Sequence, residues 1–581
     1  MTRPVRYGGG ELLELRLPAW RSRFAWLCVL VAFVMLIGRA AWLQVVSNEF
    51  LKEQGAKRIE RTLPLRANRG ALLDRNHVVL AQSVPAQAIW YDGQQTKHMT
   101  SAQVKQLAGL LNRNEGAIRA RMFNETRRFV YLERQVEPHI AQQIRALKIA
   151  GIGFLTESKR FYPQGEMLSQ LIGFTDLEDR GQEGIELAFN QRLTGKDGER
   201  SVIRDRLGNV IEEVKALIPA TNGQDLVLSV DSDLQFVVMN ELRKALIQHK
   251  AKAGAVVVLH AKTGEVLAMA NLPTYDPNDR SSLRGESLRN RVFTDMFEPG
   301  STLKPFTVAL ALDQGKVQAL TQIDTGEGRL RIGPAVISDV KEKGILTVEE
   351  IIEKSSNVGT SKIALALNSV DMWQFFHHLG FGQTPGVRFP GAVAGLVRPW
   401  QDWRPIEQAT MSYGHGISVS LIQLAQAYTV FANQGRLVPV RLTRDVDSIS
   451  IDGFRRVMKP ETAESMLHML KLAAGPNGTA PQARVNGYSV AGKTGTARKQ
   501  EGGRYIKKYV SSFVGLAPAN NPEVIVAVMI DEPSTGIYYG GLVAAPVFSA
   551  ITQNALRRLG VQPDEINSSQ NLVLRSSGAR S

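Results

Sequence analysis

One cysteine, Cys28, stands in 581 residues, so an intrachain disulfide is excluded. It lies in an apolar run, the setting of a packing or lipid-facing thiol rather than of a nucleophile. No H-E-x-x-H helix and no cysteine pair occurs, and His377-His378 read alone as helix surface or core. Neither a metal nor a cofactor is therefore expected. The G-x-S-x-G elbow of Ser-His-Asp hydrolases is missing too. The chain is basic, with a net charge of +15 and a pI near 9.7. No block of arginine and lysine is interleaved with aromatics, however, so no nucleic-acid partner is expected. After the first long apolar run there is no second, and there is no internal repeat.

That first run, "FAWLCVLVAFVMLIG", is uncharged from Phe24 to Gly38, and after Arg39 the apolar character resumes to Val46. A helix over 24–46 is roughly 35 Å long, enough to cross a hydrocarbon layer of about 30 Å. Arg39 can snorkel to the outer headgroups. Arg3, Arg6, Arg16, Arg21 and Arg23 precede the run, whereas the twenty residues after it are mixed in sign. The positive-inside rule then puts residues 1–23 in the cytoplasm and the chain beyond about 47 outside the membrane. A cleaved signal peptide is the rival reading; the long basic leader and the lack of a small-residue cleavage site favour an uncleaved anchor.

The length allows two or three domains. "RGALLDRNHVVLAQSV" (69–84) reads as strand, turn, strand. Segments 101–113 and 137–149 read as amphipathic helices. Segments 160–174 and 198–213 read as loops and strands of the same irregular domain, 47–223, closed by the linker "IPATNGQ" (218–224). From 224 a second domain runs to 560, opening with a hairpin at 254–270 whose turn is Lys262-Thr263-Gly264. Helices fill much of 300–470, and strands return at 488–497 and 524–531. This order implies an α+β fold, an antiparallel sheet covered by helices. The polar segment 561–581 reads as a disordered tail.

The chemistry begins at "FEPGSTLKPFTVALAL" (297–312). Ser301 and Lys304, three residues apart, share a helix face. Pro305 fits only at a helix start, and Gly300 permits a sharp entry. An ammonium buried there is disfavoured by desolvation and by the positive end of the helix dipole. A neutral amine beside a serine hydroxyl is a general base beside a nucleophile. The motif is short and repeats: "SDVK" (338–341) also fits, but in polar sequence with Gly344 behind it, and reads as a surface segment. Two further motifs follow, Ser355-Ser356-Asn357 and Lys493-Thr494-Gly495-Thr496. "GYSVAGKT" (487–494) imitates a phosphate loop, but the glycine-rich sequence after it cannot open a helix.

Ser-x-x-Lys, Ser-x-Asn and Lys-Thr-Gly-Thr in this order resemble the penicillin-binding protein and β-lactamase superfamily. With "RGALLDRN", "RFYPQGE", "GEVLAMANLPTYDPN", "SYGHGISVSLIQLAQAY" and "YYGGLVAAPVF", nearly the whole chain is similar to class B penicillin-binding proteins, most of all to the division-specific ones. His77 stands where that family usually has glycine, which puts its turn in doubt. The resemblance implies cross-linking of peptidoglycan stem peptides through an acyl-enzyme on Ser301, with β-lactams as covalent inhibitors. Lys304 would take the serine proton, Ser355 would relay a proton to the leaving amine, and Asn357 would hold the substrate amide and Lys304. Lys493, Thr494, Gly495 and Thr496 would bind the substrate carboxylate and backbone, with the N–H groups of Ser301 and Thr496 as oxyanion hole. Domain 47–223 would be a non-catalytic pedestal contacting division partners such as the glycosyltransferase FtsW and FtsN. The location implied is the inner membrane, with the catalytic domain periplasmic. D,D-carboxypeptidase, β-lactamase, β-lactam sensor and elongation-specific transpeptidase remain alternatives. A fast hydrolase needs a carboxylate that aims water, often carried by E-x-x-x-N. That pattern occurs at Glu186–Asn190, Glu286–Asn290 and Glu353–Asn357, none in the stretch after the Ser-x-Asn motif.

Overall fold

In the computed structural model the N-terminal apolar run forms one helix, Ala19–Ala41, that widens into a π-turn at Trp42–Val46. It starts five residues earlier than the apolar pattern alone indicates, taking in Arg21 and Arg23, and none of its residues is buried. Trp26, Met35 and Ile37 stand open, as in a segment whose solvent is lipid. The structure describes residues 19–46, 60–93, 99–122, 129–204, 210–444 and 454–565. They fall into two units, Met1–Ala67 with Lys196–Thr221, and Asn68–Gly195 with Asn222–Ser581.

In the first unit Glu60–Leu65, Gly198–Arg204 and Val210–Ile218 make a three-stranded antiparallel sheet, with Gly198–Arg204 in the middle. The strands expected within 198–213 thus pair with Glu60–Leu65 and not with the strands of 72–161.

In the second unit the early residues form a sheet of Val79–Tyr91, Val130–Val136 and Ile152–Phe161. Helices Ser101–Leu110, Glu115–Met122 and Pro138–Ala146 bury their apolar stripes on it. The "RGALLDRN" and "RFYPQGE" segments meet at a buried carboxylate. Glu186 accepts from Arg69 Nε and Arg160 Nε, both at 2.7 Å. Arg69 also donates to Asn190 Oδ1 at 2.9 Å, so Glu186 and Asn190 are structural partners, not a water-activating pair. The turn at 74–78 forms despite His77, whose φ of +64° is a glycine conformation. Asp74 Oδ1 holds it by accepting from the N–H groups of Asn76 and Val78.

The later residues build a five-stranded antiparallel sheet: β1 Ala253–His260, β2 Val266–Leu272, β3 Ala491–Glu501, β4 Arg504–Ala517 and β5 Val524–Asp531, in the order β2-β1-β5-β4-β3. β1 and β5 are apolar without alternation because both faces are covered. Val256, Val258, Val526 and Val528 pack with helices α1 Ser232–His249 and α6 Ala545–Arg558. Ala255, Val257, Ile525 and Ala527 face the other layer: α2 Lys304–Asp313, α3 Asn357–Leu365, α4 Leu421–Ala432 and α5 Pro460–Ala474. α2 is buried from Lys304 to Ala311, the mark of a helix enclosed by others. β3 is left at the open edge of the sheet. Residues 561–565, placed in the expected tail, return to the sheet, where Asp564 Oδ1 accepts from Ser489 N–H at 2.7 Å; 566–581 lie outside the described residues.

Candidate active site

Ser301 sits on a 3-10 turn, Gly300–Leu303, that runs into α2. Gly300 has φ +56°, the left-handed entry that the Pro-Gly pair suggested. Thr302 Oγ1 closes the turn on Pro299 O (2.7 Å), and Tyr428 of α4 donates its hydroxyl hydrogen to Thr302 O (2.8 Å). Pro305 occupies the first turn, where its missing N–H costs nothing. Lys304 is completely buried.

Its amine finds the second motif. Lys304 Nζ donates to Ser355 O at 2.7 Å and lies 3.1 Å from Ser355 Oγ. Ser355 has φ +58°, a strained conformation for a residue with a β-carbon, and it persists because both neighbours are tied down. Ser356 caps α3 by accepting from Gly359 N–H. From the other side Lys493 Nζ, on β3, reaches the same hydroxyl at 2.9 Å. One serine oxygen therefore lies between two buried amines from the first and third motifs.

The edge strand lies against the nucleophile turn because Gly495 has no side chain. A β-carbon there would stand 2.8 Å from Pro299 O and 3.0 Å from Thr302 Cγ2. Thr496 Oγ1 accepts from Gly540 N–H (3.0 Å), and Thr494 Oγ1 meets Thr479 Oγ1 (3.0 Å). Asn357 is not brought to Lys304: its Nδ2 donates to Ser338 O at 2.9 Å.

That contact corrects the reading of "SDVK" as a mere surface segment. Asp339 accepts from Ser356 Oγ at 2.6 Å and from the N–H groups of Asn357 and Val358, which fixes the start of α3 and with it Ser355. Sequence reasoning missed Asp339, because no local pattern ties a hairpin aspartate to a helix start seventeen residues on. It also missed Lys343, half-buried nearby, whose Nζ donates to Lys354 O (2.6 Å).

The electrostatics follow from burial. Desolvation, then the charge of Lys493, pushes Lys304 well below the usual lysine range; Asp339 opposes the shift and Lys343 adds to it. Lys493 is pushed down to about 7, again by desolvation first and by Lys343 second. Lys304 is the amine held neutral, with a lone pair free for a serine proton. The remaining positive charge suits a carboxylate-bearing ligand.

The other sequence matches resolve as ordinary structure. Lys262-Thr263-Gly264 is the β1–β2 turn, with Gly264 at φ +70°. "GYSVAGKT" leads into β3, not into a helix. Glu286 pairs with Arg289 and Glu353 with Lys354.

The penicillin-binding protein transpeptidase domain matches residues 254–553, and the penicillin-binding protein dimerisation domain matches residues 64–228. The chain is 43% identical over 547 residues to the probable peptidoglycan D,D-transpeptidase PenA of Neisseria meningitidis, covering 94% of this chain and 93% of that protein. It is 40% identical over 554 residues to the peptidoglycan D,D-transpeptidase FtsI of Escherichia coli, again 94% and 93%. Among solved structures it resembles the transpeptidase domain of penicillin-binding protein 3 from Burkholderia pseudomallei (48% identity, TM-score 0.54, 58% of this chain and 98% of that one). It also resembles a peptidoglycan synthetase from Bifidobacterium adolescentis (25% identity, TM-score 0.69, 88% and 98%).

Proposed function

Because the chain belongs to the class B penicillin-binding proteins, we propose that it is a peptidoglycan D,D-transpeptidase working through an acyl-enzyme on Ser301, at the division septum. The observation that carries the reading is Ser355 Oγ held between Lys304 Nζ and Lys493 Nζ behind the Ser301 turn. Neutral Lys304 takes the Ser301 proton as Oγ attacks the carbonyl of the penultimate D-alanine. The oxyanion is met by the N–H groups of Ser301 and Thr496, about 3 kcal/mol for each donor. The proton passes through Ser355 to the departing D-alanine nitrogen. The donor peptide lies along the open edge of β3, its terminal carboxylate near Lys493 and Thr494, as an added strand. An amine of a second stem peptide then attacks the ester, and Lys304 takes that proton in turn. β-Lactams acylate Ser301 and stay, since the E-x-x-x-N glutamates are engaged elsewhere.

The helix Ala19–Ala41 supports a single-span anchor with residues 1–23 cytoplasmic and the catalytic residues periplasmic, in the inner membrane. FtsW and FtsN are the division partners this reading assigns to the non-catalytic residues 47–223. Intact-mass analysis after penicillin treatment, with peptide mapping, tests the central step. One adduct at Ser301 is expected, and an adduct at Ser338 or none would overturn it. A D-amino acid acceptor should speed turnover of a thioester donor; indifference to acceptor would mean a carboxypeptidase.

A further inference from the structure

Next to the nucleophile turn a cavity of about 210 Å³ opens between residues 295–298, Ser418 and the outer half of β3, Ala497–Gln500. It is smaller than the roughly 300 Å³ at which whole-ligand pockets begin, and suits one side chain. Three acids line it. Asp295 is matched by Arg289 and Arg291, and Asp531 by Lys499. Glu298 makes no ion pair with lysine or arginine among the described residues. Its carboxylate is 11% exposed and accepts from neutral donors: Gly416 N–H (2.8 Å), Tyr505 Oη (3.1 Å to each oxygen) and Gln500 Nε2 (3.4 Å). The nearest basic group is His415, with Nδ1 at 3.7 Å. Burial and the charges of Lys304 and Arg498 push that imidazole down to about 4, so it is neutral at physiological pH and does not balance Glu298. Desolvation likewise pushes the Glu298 carboxyl up, as expected of an anion lacking its counter-charge.

We propose that this cavity receives the free side-chain amine of the third residue of the donor stem peptide, with Glu298 as its counter-ion. The proposal rests on the transpeptidase reading and extends it to donor selection. The acylated residue is the fourth of the stem, so the third lies one step further along β3. Residues 497–500 lie one to four steps beyond Thr496, roughly 3–13 Å at the rise of a strand. An extended diamino-acid side chain spans that range. The amine would exchange its water shell for a buried, hydrogen-bonded carboxylate, a charge-assisted contact. A donor without the charge would leave Glu298 desolvated and unbalanced.

The test uses the full-length protein in detergent and two thioester stem-peptide donors. They differ only in whether the third-residue amine is free or N-acetylated, and thiol release reads donor acylation. Rates are normalised to the fraction of enzyme labelled by benzylpenicillin, which removes misfolded protein from the comparison. The wild type should prefer the free amine by about ten- to hundredfold in kcat/KM. Glu298→Gln should bring the ratio near one, and Glu298→Asp should keep part of it. Equal use of both donors by the wild type overturns the proposal. So does a Glu298→Gln variant that slows both donors alike, which would make Glu298 a strut for the β3–β4 hairpin. If neither donor releases thiol while penicillin still labels Ser301, the transpeptidase reading falls and the subsite with it.

Discussion

Lys-Thr-Gly occurs twice in this sequence, and the two copies do different work in the same sheet. At 262–264 it turns β1 into β2; at 493–495 it lies on the edge strand β3. Both lysines are pushed below the usual range by desolvation, so a depressed pKa does not tell them apart. Their partners do. Lys262 Nζ donates to Ala432 O (3.0 Å), the last residue of α4, where a cation belongs at the negative end of a helix. Lys493 Nζ points at a serine hydroxyl that a second buried amine also reaches. A lysine that satisfies a carbonyl is architecture; one that shares a hydroxyl with another lysine has a proton to move. Ser-x-x-Lys repeats the lesson: Ser301 and Lys304 open a buried helix, while Ser338 and Lys341 lie exposed on a hairpin and its following loop.

Removing the nucleophile is the harshest way to test that division. Ser301→Ala should abolish penicillin labelling, a loss of about 10⁶-fold by analogy with other serine nucleophiles. Ser338→Ala should label normally, because its contribution, the carbonyl that Asn357 bonds, is kept. Lys304→Arg should be nearly as inactive as Lys304→Ala, about 10²–10⁴-fold down, since a guanidinium cannot serve as a neutral base. Lys341→Ala should stay within about twofold. Substantial acylation by Lys304→Arg, read by fluorescent-penicillin kinetics, would mean that Lys304 acts only as a cation.

Lys493→Ala should slow acylation by about 10²–10³-fold, whereas Lys262→Ala should stay within about twofold and lose only some stability from the end of α4. A pH profile sharpens the contrast. Acylation requires neutral Lys304, so its rate falls as pH drops through that depressed pKa. The Lys493 charge holds Lys304 down, so removing it should move the acid limb to higher pH. Asp339 pulls Lys304 the other way, and Asp339→Asn should move the limb to lower pH. Lys262→Ala should leave the limb in place. Limbs that move together, or not at all, would break the assignment of Lys304 as base.

Much of this was legible in the chain. The buried start of α2 followed from Pro-Gly, Pro305 and an apolar run, and the turn at 262–264 from its flanking strands. The antiparallel sheet followed from the order of its segments. What was not legible depended on contacts between distant residues. Asp339 matters through an α3 start that it reaches only when the hairpin folds back. Glu186 reads as an E-x-x-x-N candidate until Arg69 and Arg160, 117 and 26 residues away, close on it. Strand pairing of 198–204 with 60–65 joins segments separated by more than a hundred residues, and local periodicity carries no term for that choice.

The glycines of the two copies make the smallest and most discriminating test. Gly264 needs its conformation, φ +70°, and its space, since a β-carbon would sit 2.1 Å from Pro439 O. Gly495 needs space alone. A β-carbon there would stand 2.3 Å from Ser512 Oγ, which can rotate away, and 2.8 Å from Pro299 O, which cannot move without carrying the turn that holds Ser301. Gly264→Ala should therefore cost stability, about 1–2 kcal/mol from the left-handed conformation before any clash is counted, while the folded fraction acylates within about twofold of wild type. Gly495→Ala should separate β3 from the nucleophile turn by a few tenths of an ångström. The penalty should fall on acylation, about tenfold, because reacting groups are sensitive to such displacement. Thermal melts read the first effect and fluorescent-penicillin rates, corrected for active fraction, the second. If Gly495→Ala lost stability but acylated normally, the close approach of β3 to Ser301 would be packing rather than catalytic alignment, and the two copies would differ less than their partners suggest.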